Sequence, residues 1–279
     1  MSGAPFLSVI LPAHNEAAYI GACLEAVLAS ADVRAELIVV ANACTDETAE
    51  VARRLESRAQ AAGWAMTVID TATPGKLNAL NQGDAAARGT IRAYLDADVI
   101  VSPRLLSEIV AALDTDQPRY ASGSPVVSAA RSGVTRAYAR IWQRLPFVTR
   151  GVPGFGLFAV NAAGRARWQD FPDIIADDHF VRLQFAPEER VRVSAPYSWP
   201  MVEGLRNLVR VRRRQDAGVA EIAARYPALL RNEDVARPGL GVLLPLALRD
   251  PVGFAVYLAV KLAVKLPVFE NSQRWERGR

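Results

Sequence analysis

The first 115 residues alternate between short β-branched apolar runs and stretches where apolar residues recur at helical spacing. Phe6–Leu11 is the first run and has strand length. Ile20, Leu24, Val27 and Leu28 then repeat as one helical face, with Asn15 placed as its cap. Glu36–Ala41 is the second strand. Thr45 and Asp46 open a second helix towards Ala62, with acids in its first turn. Met66–Asp70 is a third strand, and a Thr-Pro-Gly turn leads to a helix near Leu77–Arg88. Ile91–Leu95 is a fourth strand. Ser102 and Pro103 are a cap and a first-turn proline for a helix whose face is Leu105, Leu106, Ile109, Val110 and Leu113.

Strands separated by helices of this length require right-handed crossovers. The expected fold class is α/β, with a Rossmann-like, mostly parallel central sheet flanked by helices. In such sheets, ligands bind beyond the carboxyl ends of the strands. The stretches at those ends are Pro12–Glu16, Ala41–Asp46, Asp70–Lys76 and Asp96–Asp98, and all are polar for their positions. Later, Arg119–Ser128 and Phe155–Asn161 read as strands, with Pro153-Gly154 between them, and Ala176–Phe185 as a short helix.

Composition narrows the class. The chain has 279 residues, 51% hydrophobic and 22% charged, which allows one sizeable core. Two cysteines, Cys23 and Cys44, are too few for a disulfide framework and are not at metal-ligand spacing. The net charge is only +4, so nucleic acid is not an expected partner. Five arginines and no acid lie between Arg206 and Arg214, a local signal for an anionic partner. No basic segment followed by an apolar one marks a secretory signal, so the expected location is cytoplasmic.

Asp96-Ala97-Asp98 follows the fourth strand directly. Two carboxylates at this spacing can share a hard cation, Mg2+ or Mn2+, with phosphate oxygens completing its shell. A solvated acidic turn is the plainer reading. Position and company then count. SVILPAHNE (8–16), ELIVVANACTDET (36–48), PGKLNALNQG (74–83) and YLDADV (94–99) occur in this order. Together they resemble the family 2 glycosyltransferases, whose nucleotide-sugar-binding fold is called GT-A, over about residues 6–235.

The resemblance implies an inverting transfer from a nucleotide-sugar donor to an acceptor hydroxyl, non-processive and dependent on Mn2+ or Mg2+. It implies that Pro12, Ala13 and Glu16 line the nucleoside pocket, that Asn42 and Asp46 lie near base and ribose, and that Lys76 lies close to the nucleotide. Asp96 would face ribose and metal, and Asp98 would ligate the metal. Asp178, in IADDHF (175–180), matches the family's catalytic base. His179 matches a further metal ligand in some GT-A enzymes, and a pocket-lining role is the alternative. Arg213 belongs to a basic run, Arg210–Gln215, that loosely resembles the arginine motif closing over the diphosphate. The tryptophan of that motif is absent. Ala41 stands where family members commonly carry a base-contacting aspartate, so the donor's nucleotide stays open. Asn42 is equally a base contact or a turn residue. The glycine-rich stretch Gly151–Gly156 lacks the setting of a phosphate loop. In the family a similar stretch lies near the acceptor and donor sugar, and structural turns are its other reading.

The end of the chain is different. Leu240–Leu248 and Val252–Phe269 are apolar, interrupted by Pro245 and Pro251. Each run is shorter than the ~20 residues a spanning helix needs. Tyr257, Lys261 and Lys265 are spaced as a polar stripe on an amphipathic helix. The tail, 236–279, is therefore expected either to touch a membrane peripherally, which would favour a lipid-linked acceptor, or to pack on the 1–235 catalytic domain. Trp275-Glu276-Arg277 resembles the close of membrane-associated sugar transferases. A nucleotidyltransferase, or a non-catalytic nucleotide-sugar-binding or scaffold protein, is the competing function. The absence of G-x-G-x-x-G after the first strand excludes a dinucleotide fold.

Overall fold

The computed structural model describes residues 6–234 and 238–266. The expected domain boundary at 235–236, the last residues of the second apolar run, and Trp275–Arg277 lie outside them. Eight strands form one sheet: β1 (Leu7–Ala13), β2 (Ala35–Asn42), β3 (Ala65–Thr71), β4 (Ile91–Leu95), β5 (Ile100–Val101), β6 (Tyr120–Val127), β7 (Leu157–Asn161) and β8 (Arg190–Trp199). The helices are α1 (Ile20–Leu28), α2 (Thr48–Arg53), α3 (Glu56–Ala61), α4 (Lys76–Ala86), α5 (Leu105–Leu113), α6 (Gly133–Trp142), α7 (Pro146–Thr149), α8 (Ala162–Arg165), α9 (Asp177–Arg182), α10 (Leu205–Arg225), α11 (Leu240–Arg249) and α12 (Pro251–Lys265).

The strand order is β3-β2-β1-β4-β7-β6-β8-β5. The first four strands are parallel, as the βαβ pattern requires. β7 runs antiparallel to both β4 and β6, and β8 pairs with β6 in parallel. β5, just after Asp98, pairs with the far end of β8 and so curls the sheet around the Asp96–Asp98 turn. Every residue of β1 and β2 is buried, which is why these strands read as mainly apolar runs rather than alternating ones. The one acid inside β2, Glu36, is satisfied: it accepts from Ser8 Oγ at 2.6 Å and from Arg88 N at 2.7 Å.

Four local expectations are corrected. Asn15 does not cap α1: it takes a left-handed φ of 54° and accepts from Thr45 N at 2.6 Å, tying two strand-end loops together. The helix from Thr45 to Ala62 is two short helices, α2 and α3, with a break at Arg54 and Leu55. Ser102 and Pro103 form a turn and α5 begins at Leu105. Tyr257 is not part of an outward polar stripe, since it is buried against Tyr138 at 5.7 Å between ring centres. β8 was not among the expected strands, although Arg190-Val191-Arg192-Val193-Ser194-Ala195 alternates polar and apolar residues at the period of a strand with one buried face.

Candidate active site

The carboxyl ends of β1 and β4 and the start of α4 converge with the loop before β7, the start of α9 and the middle of α10. The cleft between them is lined by Pro12, Lys76 and Asp96 from the parallel half, by Gly154, Phe155 and Gly156, by Asp177 and Asp178, by Trp199, and by Arg214 and Gln215. Close packing holds these pieces in place. Gly218 of α10 lies on Ala176, whose Cβ would be 2.9 Å from a Cβ added at that glycine. A side chain there would push α10, which carries Arg214 and Gln215, away from the residue that precedes α9. Asp96 N donates to Gly156 O at 2.9 Å, which joins the acidic turn to the glycine loop. Gly156 has φ of 75°, and a Cβ on it would meet Trp199 Cδ1 at 2.6 Å. Trp199 is stacked on Trp142, 5.5 Å between centres, and forms an aromatic wall.

Lys76 is the electrostatic centre. Its Nζ lies 3.0 Å from Asp96 Oδ1 and 3.0 Å from Asp177 Oδ2. Burial pushes its pKa down, but Asp177 and Asp96 more than offset that, and it stands above the ordinary lysine value. Burial raises Asp177, with Lys76 opposing. Burial likewise raises Asp178, opposed by Lys76, the His179 N–H and Arg214. Three carboxylates thus share one ammonium, an excess of negative charge with oxygen-only donors. Asp96 and Asp98, two residues apart in the turn after β4, offer the oxygen donors a hard divalent cation takes when phosphate oxygens complete its shell. Among the described residues no group of three His, Cys, Asp or Glu is arranged to hold an ion alone.

The other sequence-nominated residues divide into two groups. Ala13, Glu16, Asn42 and Asp46 lie at or just after the carboxyl ends of β1 and β2, next to Pro12 but outside the lining of the cleft. Asn42 Nδ2 donates to Ala13 O at 2.7 Å, and its Oδ1 accepts from Gly75 N at 3.2 Å, just before Lys76. Asp46 accepts from Ala17 N at 3.2 Å and from Thr48 N at 3.1 Å, while Glu16 N donates to Thr48 Oγ1 at 2.7 Å. Asp98 follows Asp96 in the turn before β5. Two residues point elsewhere. His179 Nε2 faces Glu233, 3.5 Å away. Arg213 donates to the carbonyls of Val264 at 3.0 Å and Ala263 at 2.8 Å, at the end of α12. Its neighbour Arg214 lines the cleft instead. One step along a helix turns the side chain by 100°, so a basic run does not say which arginine faces inward. Trp199, Asp177 and Gln215 were also not nominated.

Residues 8–168 match the family described as Glycosyl transferase family 2. The chain belongs to that family. The match ends before Asp177, so the second half of this family 2 chain is placed by its structure. Over 109 residues, 39% of this chain and 33% of the relative, it is 33% identical to an uncharacterized glycosyltransferase of Nostoc sp.. The matched stretches span about a third of the length of the curated relatives. The fold is that of a mannosyltransferase from Pyrobaculum calidifontis solved with GDP-Man and Mn2+: TM-score 0.58, 21% identity, 95% of this chain and 76% of that one. It is also that of glucosyl-3-phosphoglycerate synthase from Mycobacterium tuberculosis solved with Mn2+ and UDP-glucose: TM-score 0.53, 24% identity, 78% of each chain. This family 2 chain is therefore a mixed α/β GT-A fold whose curled sheet carries its cleft at the strand ends.

Proposed function

We propose that the chain transfers a glycosyl group, with inversion, from a nucleoside-diphosphate sugar to an acceptor hydroxyl. The observation that carries this is the meeting of Asp96, Lys76, Asp177, Asp178 and Arg214 in one cleft beside an aromatic wall. The diphosphate is anionic. Arg214 and Lys76 supply cations for it, and a guanidinium suits phosphate through paired hydrogen bonds. Asp96 and Asp98 would hold Mg2+ or Mn2+, which when bound neutralises charge developing on the leaving diphosphate. Asp178 accepts the proton of the acceptor hydroxyl as that oxygen bonds to the anomeric carbon. The bond from that carbon to the phosphate oxygen breaks, and the nucleoside diphosphate leaves. One base and one displacement invert the anomeric centre. Trp199 offers a face for the sugar or acceptor ring.

Residues 1–235 form the catalytic part in this reading and 236–279 a tail that contacts the cytoplasmic face of a membrane peripherally, with a lipid-linked or otherwise membrane-proximal acceptor. Exposed Leu240, Leu244, Leu248, Leu258, Leu262 and Leu266 support it. No helix among the described residues is long and apolar enough to cross a membrane. Catalysis is tested by melting the protein with a panel of nucleotide-sugars and bare nucleoside diphosphates, each with and without Mn2+. Metal-dependent stabilisation, with product formation from one donor, is expected. Turnover retained in both Asp98→Ala and Asp178→Ala would refute the assigned roles.

A further inference from the structure

α12 is apolar on two sides. Gly253, Tyr257 and Val260 are buried against α6 and α10, in a cluster with Tyr138 and Val209. Leu258, Leu262 and Leu266 lie about half a turn round the helix and are exposed at 46%, 54% and 53%. α11 adds Leu240, Leu244 and Leu248, exposed at 83%, 60% and 76%. Lys261 and Lys265 sit at the seam between the two sides of α12. There a cleft opens against α10 and α6, lined by Tyr138, Arg212, Asp216, Lys261 and Lys265, with Leu258 and Leu262 at its lip. Arg212 is balanced by Asp216 at 2.9 Å. Among the described residues neither lysine is paired with an acid, and α11 and α12 contain no Asp or Glu. The two lysines therefore give the cleft its net positive charge.

A solvent-facing row of leucines is costly in water. Self-association through it would bring like-charged seams together with no acid on either helix to offset them. An anionic bilayer satisfies both features, because leucines enter the acyl boundary while lysines reach to the phosphate level. We propose that the cleft between α10 and α12 seats the phosphate of an anionic phospholipid, with Leu258, Leu262 and Leu266 entering the membrane beside it. This rests on the membrane contact proposed above and adds to it a defined headgroup site.

The test is sedimentation of the full chain with phosphatidylcholine vesicles and with the same vesicles containing phosphatidylglycerol. Wild type is expected to bind the anionic vesicles more tightly. The double variant Lys261→Ala, Lys265→Ala should lose roughly thirtyfold on anionic vesicles, about fivefold for each lysine, and little on neutral ones. Leu258→Glu with Leu262→Glu should remove binding to both. All four positions are exposed, so unchanged melting midpoints confirm that the variants fold. Equal binding of the lysine variant and wild type to anionic vesicles would overturn the headgroup site and leave membrane contact standing. No binding of wild type to either vesicle overturns membrane contact itself. Lysine-dependent stabilisation by inorganic phosphate at the concentration where vesicles compete assigns the cleft to a soluble phosphate and overturns the lipid. Concentration-dependent dimers that the leucine variant abolishes would show a second copy on this face and overturn the proposal.

Discussion

Lys76 Nζ contacts Asp177 at 3.0 Å, although 101 positions separate the two residues. The pair joins the parallel half of the sheet, at the first residue of α4, to Asp177, the first residue of α9 and the neighbour of the candidate base Asp178. Three carboxylates near one cation repel each other once that cation is removed. Lys76→Met should therefore lower kcat by about 10²–10³, the scale for losing one preorganised electrostatic contact. Lys76→Arg should recover part of that loss. Single-turnover rates with saturating donor separate this from a donor-binding defect. Wild-type turnover in Lys76→Met would show that the ammonium is not needed for chemistry.

In the proposed role of base, Asp178 must be ionised to accept a proton. Burial raises its pKa, with Lys76 and the His179 N–H opposing. Activity is present above that folded-state pKa and is lost as pH falls through it. The acid limb of kcat/KM should therefore lie above the ordinary aspartate value of about 3.9. Asp178→Asn should reduce kcat by about 10²–10⁴ while donor affinity, read by calorimetry, stays near wild type. An acid limb that survives unchanged in Asp178→Asn would assign the base elsewhere.

Much of this was legible in the sequence, and what was not has physical causes. β1, β2 and β4 are buried on both faces, so their apolar runs stand out, and the strand-end rule led directly to Pro12, Lys76 and Asp96. Strand β8 escaped a search for unbroken apolar runs, although Arg190, Arg192 and Ser194 alternate with Val191, Val193 and Ala195 at strand period; its partners lie in β6, seventy or so positions away. Lys76 could be placed near a nucleotide, but its contact with Asp177 depends on how α4 and α9 meet. Arg214 was missed for Arg213 because composition marks a basic run and only helical phase marks the inward residue. The hydropathy of α12 showed an apolar helix, but not that Tyr257 faces the protein and Leu258 faces solvent.

The same phase argument separates two neighbouring arginines. Arg214→Ala should weaken binding of bare nucleoside diphosphate by roughly 10–100-fold, the range for a hydrogen bond to a charged group. Arg213→Ala should leave that affinity unchanged and lower the melting midpoint by a few degrees, because the carbonyls at the end of α12 lose their donor. Calorimetry and thermal melting read the two effects. A reversed pattern would mean that α10 presents Arg213 to the donor when it binds.

Asp250 holds the tail to the body. Its carboxylate accepts from Arg140 Nε at 2.6 Å and from Gly253 N at 2.8 Å, the first turn of α12. The hydrogen bond from Arg140, then that from Gly253, lowers its pKa to about 2. A carboxyl depressed in this way stabilises the fold above the unfolded value of about 3.9 and loses that contribution as pH falls towards 2. Asp250→Asn keeps the shape but not the charge. It should melt a few degrees below wild type at neutral pH. The gap should narrow as the buffer is taken below pH of about 4, because the wild-type carboxyl then protonates as well. Melting curves of both proteins across that range check the sign. A gap that stays constant down to the lowest pH would show that packing of α12 on α6, rather than the Asp250 charge, holds the tail.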